Sequence, residues 1–125
     1  MRECIVADTG PIIALSMVDH LYLLRHLSQR TLIPEMVHRE ILQGGQEAAG
    51  LQIYRQASWT EVHQLLTPQD PSLVTLLDNG EASVIQLAQE HNADCVLIDE
   101  RKARKIARQV YNLQVIGTLR ILLDA

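Results

Sequence analysis

Cys4-Ile-Val-Ala-Asp8-Thr-Gly-Pro11 is an apolar run that ends abruptly in a carboxylate and then in residues that turn the chain. Followed by a second apolar run from Ile12 to Val18, it reads as a buried strand feeding a helix. Asp8 then stands at the carboxyl end of the first strand, where open parallel α/β sheets hold ligands and chemistry. The structural alternative is that Asp8 only caps the helix that Pro11 opens. Cys95-Val-Leu-Ile-Asp99 repeats the pattern with the same Cys-to-Asp spacing. Both strands therefore deliver an aspartate from the same side of the pleat, and as neighbours in a parallel sheet they bring the two carboxylates together.

Between these strands the chain alternates. Asp19 is placed to cap a helix carrying Leu21, Leu23, Leu24 and Leu27, and Thr31-Leu-Ile-Pro34 reads as a second strand. Pro34, as the first helical residue, opens a helix over Glu35 to Gln43 that Gly44-Gly45 ends. On a helical wheel Glu40 falls between Met36 and Val37, inside the apolar arc those residues form with Ile41. Gln46 to Ala57 reads as a polar helix, Trp59 to His63 as an edge strand and Pro68 to Pro71 as a loop. Asp78-Asn-Gly-Glu81 announces the next helix with the outline of a capping box. Glu81 nevertheless shares its face with Val84, Ile85 and Ala88, so it turns toward the sheet. A carboxylate inside an apolar stripe is costly unless it is paired or binds a cation, and two separate helices carry one.

The helix after Asp99 has an apolar stripe of Ala103, Ile106, Ala107 and Val110, and its other face is the basic set Arg101, Lys102, Arg104, Lys105 and Arg108. Leu113 to Ile116 makes the last strand and Gly117-Thr118 starts a short apolar helix. Strands alternating with helices imply right-handed crossovers, hence a three-layer α/β/α sandwich with a central parallel sheet, one domain over residues 1–125.

Composition narrows the function. Hydrophobic residues at 47% and charged ones at 21% suit a folded globular chain and exclude disorder. Aromatics are 3% with no Phe, so a nucleic acid could not be held by stacking platforms and would have to be held by charge and metal. A net charge of -4 argues against a basic DNA-binding module. Cys4 and Cys95, each inside an apolar run, fit buried thiols in a reducing compartment, and two cysteines alone build neither a disulfide framework nor a zinc site. The N-terminal apolar run is too short for a signal peptide or a membrane span, which points to the cytoplasm and to no membrane partner.

Asp8, Glu40, Glu81 and Asp99 thus share an address at the strand ends. About 5 Å apart, two carboxylates repel by roughly 3 kcal/mol at an effective dielectric near 20, so either protons or a divalent ion must sit among them. Oxygen ligands with no His or Cys select hard ions, Mg²⁺ or Mn²⁺. Such an ion polarises a phosphoryl oxygen and activates water, and phosphodiester hydrolysis is the natural reaction, with Arg101 and the rest of the basic helix reaching neighbouring phosphates.

These stretches, Ile5 to Leu15, Ile33-Pro34 through Glu40-Ile41, Gly80-Glu81-Ala82, and Val96 to Arg104 with Gly117-Thr118, resemble the PIN domains, in particular the short prokaryotic, DUF3368-like proteins related to VapC-type toxins. The resemblance implies a sandwiched parallel sheet, an acidic cluster binding Mg²⁺ or Mn²⁺, and endoribonuclease activity. Asp8, Glu40, Glu81 and Asp99 match its acidic positions as catalytic and metal-binding residues, Thr9 matches a hydroxyl that accompanies the first acid, and Glu100 would serve a second metal. RNA and a cognate antitoxin are the implied partners, and a homodimer or higher homo-oligomer is expected. Two departures stand out: a Glu follows Gly80 where toxin members commonly carry Asp, and the sequence runs to Ala125 where relatives often continue through further helical structure. The alternative is a non-catalytic member that binds RNA or protein. A receiver domain would need a Lys where Gly117-Thr118 stands, and no Gly-x-Gly-x-x-Gly follows the first strand for a dinucleotide.

Overall fold

The computed structural model describes residues 2–44 and 48–124. Five parallel strands form one sheet in the order β3-β2-β1-β4-β5, with β1 at Arg2–Ala7, β2 at Ser28–Pro34, β3 at Thr60–His63, β4 at Cys95–Leu97 and β5 at Gln114–Ile116. β1 is central, and Ile5, Val6 and Ala7 are fully buried along with Val96 and Leu97 of β4. Such runs are apolar at every position because a parallel sheet is covered on both faces.

Right-handed crossovers place the first helices, α1 (Thr9–Met17), α2 (Leu23–Leu27), α3 (Glu35–Gln43) and α4 (Ala48–Gln56), on one face, where α8 (Thr118–Asp124) joins α1 and α2. α5 (Pro71–Leu76), α6 (Asn79–His91) and α7 (Arg101–Gln109) cover the other face, α6 packing on β1, β2 and β4. The expected three layers around a parallel sheet are present.

Several local expectations need correction. Asp19 caps nothing: its φ of 58° puts it in the left-handed region, and α2 begins only at Leu23 behind Tyr22. Pro34 closes β2 and stands as N-cap of α3 rather than as its first helical residue. Pro71, expected to close a loop from Pro68, instead opens α5; Asp70 caps that helix by accepting from Ser72 N at 2.9 Å, and it is too short to show an apolar period. Val110 lies past the end of α7 and is 66% exposed, so the buried stripe is Ala103 and Ala107 with Ile106 half-buried. The part of the helix stop expected at Gly45, and Gln46 and Glu47 of the following helix, lie outside the described residues. Cys4 and Cys95 are free and buried, and burial pushes the Cys95 thiol up to about 11.

Candidate metal centre

From β1 the chain crosses to β2 on one side, whereas β4 flanks β1 on the other. The direction of winding reverses between β1 and β4, and the crevice at their carboxyl ends is the topological switch point of the sheet. Asp8 follows β1 directly. It has the extended backbone of an N-cap for α1 but makes no side-chain capping bond, so the purely structural role fails and its carboxyl is left to the crevice. There a cavity of about 420 Å³ is lined by Asp8, Thr9, Glu40, Asp78, Glu81, Asp99 and Glu100.

Each acid is delivered differently. Glu81 sits in the first turn of α6, buried beside Val84, Ile85 and Ala88 as the wheel requires, while Asp78 caps that helix by accepting from Glu81 N at 2.8 Å. Glu40 is a correction in part: it is exposed, standing at the rim of the α3 stripe rather than inside it. Its carboxyl nonetheless reaches α6, because a Cβ at Gly80 would overlap Glu40 Oε1 and lie 3.2 Å from Cδ. Glycine at position 80 is what admits it.

Asp99 arrives by a route that spacing alone misstates. The register pairs Ala7 with Leu97, and Asp8 N donates to Leu97 O at 3.0 Å, so Ile98 rather than Asp99 stands level with Asp8. The matched Cys-to-Asp intervals are offset by one residue, and the pleat would send the two side chains to opposite faces. β4 ends before this matters, and Asp99 is held instead by the start of α8: Thr118 N donates to Oδ1 at 2.7 Å and Thr118 Oγ1 to Oδ2 at 2.5 Å. A Cβ on Gly117 would stand 2.9 Å from Asp99 Oδ1 and 2.7 Å from Arg104 Nη1, so this clamp also needs glycine before the threonine. Arg104 Nη1 in turn donates to Ile98 O at 2.7 Å.

The electrostatics are those of an uncompensated anion cluster. Burial raises the Asp8 carboxyl to about 6 against the pull of the Thr9 amide, and Asp78, Glu40 and Asp99 push in the same direction. Glu81 rises to about 7, first through burial and then through Asp78, Asp8 and Glu100. Glu40 is raised by burial and by Asp78. Thr9 Oγ1, buried at the cavity wall, has no hydrogen-bond partner. All-oxygen donors, repelling carboxyls and an orphaned hydroxyl fit a hard divalent ion in chemistry, although among the described residues no three His, Cys, Asp or Glu side chains are already drawn together tightly enough to hold one.

The six acid and hydroxyl positions singled out from sequence therefore line one cavity. Glu100 is partly committed, since its Oε2 accepts from Ala103 N at 2.8 Å and caps α7. Arg101, Arg104, Lys105 and Arg108 line a second cavity of about 350 Å³ that shares Asp99 with the first, and Lys102 is exposed outside it. Two residues were missed. Asp78 is legible as a cap but not as cavity wall, and Thr118 is legible as the start of the last helix and as part of the family likeness but not as a partner of Asp99, because that role depends on β5 lying beside β4.

A parallel sheet in this order, sandwiched by helices and with acids lining the crevice at its switch point, defines the class: a three-layer α/β domain. A family model described as DUF3368, PIN domain, matches residues 4–125, and the chain belongs to that PIN-domain family. PIN domains are nuclease-type modules that generally use a divalent metal and bind RNA. Among solved structures the crystal structure of PAE2754 from Pyrobaculum aerophilum is similar in fold, with a TM-score of 0.61 and 12% identity over 98% of this chain and 88% of that one. No curated protein matches. Among the described residues no helix is long and apolar enough to cross a membrane.

Proposed function

We propose that the protein is a Mg²⁺- or Mn²⁺-dependent endoribonuclease hydrolysing RNA phosphodiester bonds, with a cognate antitoxin as its protein partner in a toxin-antitoxin pair. The observation that carries this reading is the convergence of Asp8, Glu40, Glu81 and Asp99 on one cavity, with Asp8 and Glu81 buried and raised to about 6 and 7. Asp8 and Asp99 would be the principal ligands, with Glu40 and Glu81 completing the set and Thr9 and Glu100 accessory to it. When bound, the ion would supply Lewis acidity at the phosphoryl oxygen and a more acidic water. The chain's own residues do the rest: Asp8 and Glu81, deprotonated, orient the water against the phosphate, Thr118 keeps both Asp99 oxygens aimed, and Arg101 and Arg104 meet the negative charge of the RNA.

The lack, among the described residues, of an already assembled three-acid set favours a second reading, a non-catalytic RNA- or protein-binding PIN module. Asp8→Asn separates the two. Loss of Mg²⁺-dependent cleavage of single-stranded RNA with RNA binding retained supports the enzyme. Wild-type protein that binds RNA without cleaving it in Mg²⁺ or Mn²⁺ leaves the binding module.

A further inference from the structure

We propose that the site grips RNA on one side only, along α7, so that catalysis and affinity depend on two or three phosphates beyond the scissile one in a single direction along the strand. This deepens the nuclease reading and rests on it for where the scissile phosphate lies.

The argument starts from charge that nothing answers. Among the described residues the ion pairs are Arg30–Glu61, His63–Glu61, Arg39–Glu35 and Arg120–Asp124, and none involves α7. Arg101, Arg104, Lys105 and Arg108 follow one another at i, i+3, i+4 and i+7, one face of the helix, in a protein whose net charge is -4. A row of like charges that no carboxylate of the protein answers is a positive rail on an otherwise acidic surface, and a polyanion is the ligand that complements it. The row is not free to drift: Arg104 is tied to Ile98 O, the residue before Asp99, and α7 is capped by Glu100 from the acidic cavity itself. Asp99 walls both cavities, so the basic groove opens out of the acidic one.

The opposite rim offers no such rail. Glu40 and Asp78 stand there, and on α3 the Arg39 guanidinium is committed to Glu35. A strand leaving the site is therefore attracted over α7 and repelled over α3. From Arg101 to Arg108 the helix rises about 10 Å. With roughly 3.4 Å of rise per nucleotide in a stacked strand, that length meets about three phosphates, or two in a more extended strand.

The test uses single-stranded RNA oligonucleotides extended one nucleotide at a time on either the 5′ or the 3′ side of the cleaved bond. We expect kcat/KM to climb with each added phosphate on one side and level off after two or three, with the other side flat. Binding of the same oligonucleotides to Asp8→Asn should show the same one-sided dependence. For the wild type's best substrate, log affinity should fall with log salt at a slope near -2, and Lys105→Ala and Arg108→Ala should each lessen it by about 0.7. Equal gains on both sides, or a slope that those substitutions leave unchanged, overturns the proposal. If the wild type binds RNA but cleaves nothing, the nuclease reading fails and the one-sided claim falls with it, while a salt slope that Lys105→Ala and Arg108→Ala each lessen would keep only the grip along α7.

Discussion

Asp8 and Asp99 leave adjacent strands at the same end of the sheet, yet their surroundings are opposite. Asp8, with Glu81 across from it, is buried, and burial raises both carboxyls. Asp99 is exposed and both of its oxygens are held by Thr118. One half of the cavity stores repulsion that a cation would relieve, and the other half is a carboxylate already aimed. The difference teaches that acids sharing one cavity need not share one energetic role: burial of Asp8 and Glu81 ties their charge to folding, whereas what fixes Asp99 is a pair of hydrogen bonds.

Neutralising each half in turn is the strongest way to break that comparison. Asp8→Asn and Asp99→Asn should each lower Mg²⁺-dependent cleavage by about 10²-fold or more, because each would take a charged ligand from the proposed ion. Their effects on the metal-free protein should diverge. At pH 8 Asp8→Asn removes a buried, repelled charge and should raise the urea midpoint, whereas Asp99→Asn should leave it unchanged or lower it. Equal shifts in the two midpoints would show that the halves are not different in kind.

The pH dependence sharpens the same point. Asp8 and Glu81 bind protons more tightly folded than unfolded, from ordinary values of 3.8 and 4.5 to about 6 and 7. Their contribution to stability is therefore fully present below about pH 4 and is lost as pH rises through 6 and 7, on the order of a few kcal/mol. Glu61, drawn down to about 2 chiefly by its hydrogen bonds with Arg30, acts in the opposite sense but only as pH falls below its ordinary range, outside this window. Urea denaturation in chelator should show stability falling from pH 5 to pH 8, and Mg²⁺ should restore it at pH 8 far more than at pH 5. A flat profile in chelator would remove the stored repulsion.

Much of this was legible in the residues. The bounds of α3, Glu35–Gln43, follow from a proline before and glycine after, and Glu81 on an apolar face of α6 follows from the helical period alone. What was not legible depends on relations between strands. The one-residue offset between β1 and β4 is a matter of register between strands that are distant in sequence, and the repeated Cys-to-Asp interval suggested a level pairing that the sheet does not adopt. Thr118 escaped notice as a site residue for the same reason. Its hydroxyl finds Asp99 only once β5 lies beside β4, nineteen positions along the chain.

That clamp gives a prediction of middle size. Thr118→Val keeps the backbone donor to Oδ1 but loses the hydroxyl on Oδ2, freeing the Asp99 carboxylate to rotate. Partners of this kind typically change metal affinity 10- to 100-fold, and we expect about 10-fold weaker Mn²⁺ binding by calorimetry, recovered in Thr118→Ser. Asp8 has no such partner to lose, so the corresponding change at Thr9, Thr9→Val, should cost less. If Thr9→Val proves the more damaging, the preorganised half has been assigned to the wrong strand.

The smallest effect is expected where the two helices meet. In Gly80→Ala the new methyl must displace the carboxyl of Glu40, the far end of a flexible side chain at an exposed position, so the fold should yield easily. Alanine is also the better helix former by roughly 1 kcal/mol, which offsets any crowding in the first turn of α6. The substitution should therefore leave thermal stability near or slightly above wild type while weakening Mn²⁺ binding a few-fold, as Glu40→Gln should also do. Because both changes remove the same carboxylate from the cavity, the double variant should be no weaker than either single one. Additive losses would mean that Gly80 acts on α6 and Glu81 rather than on Glu40, and that the exposed acid at the rim contributes to the site by a separate route.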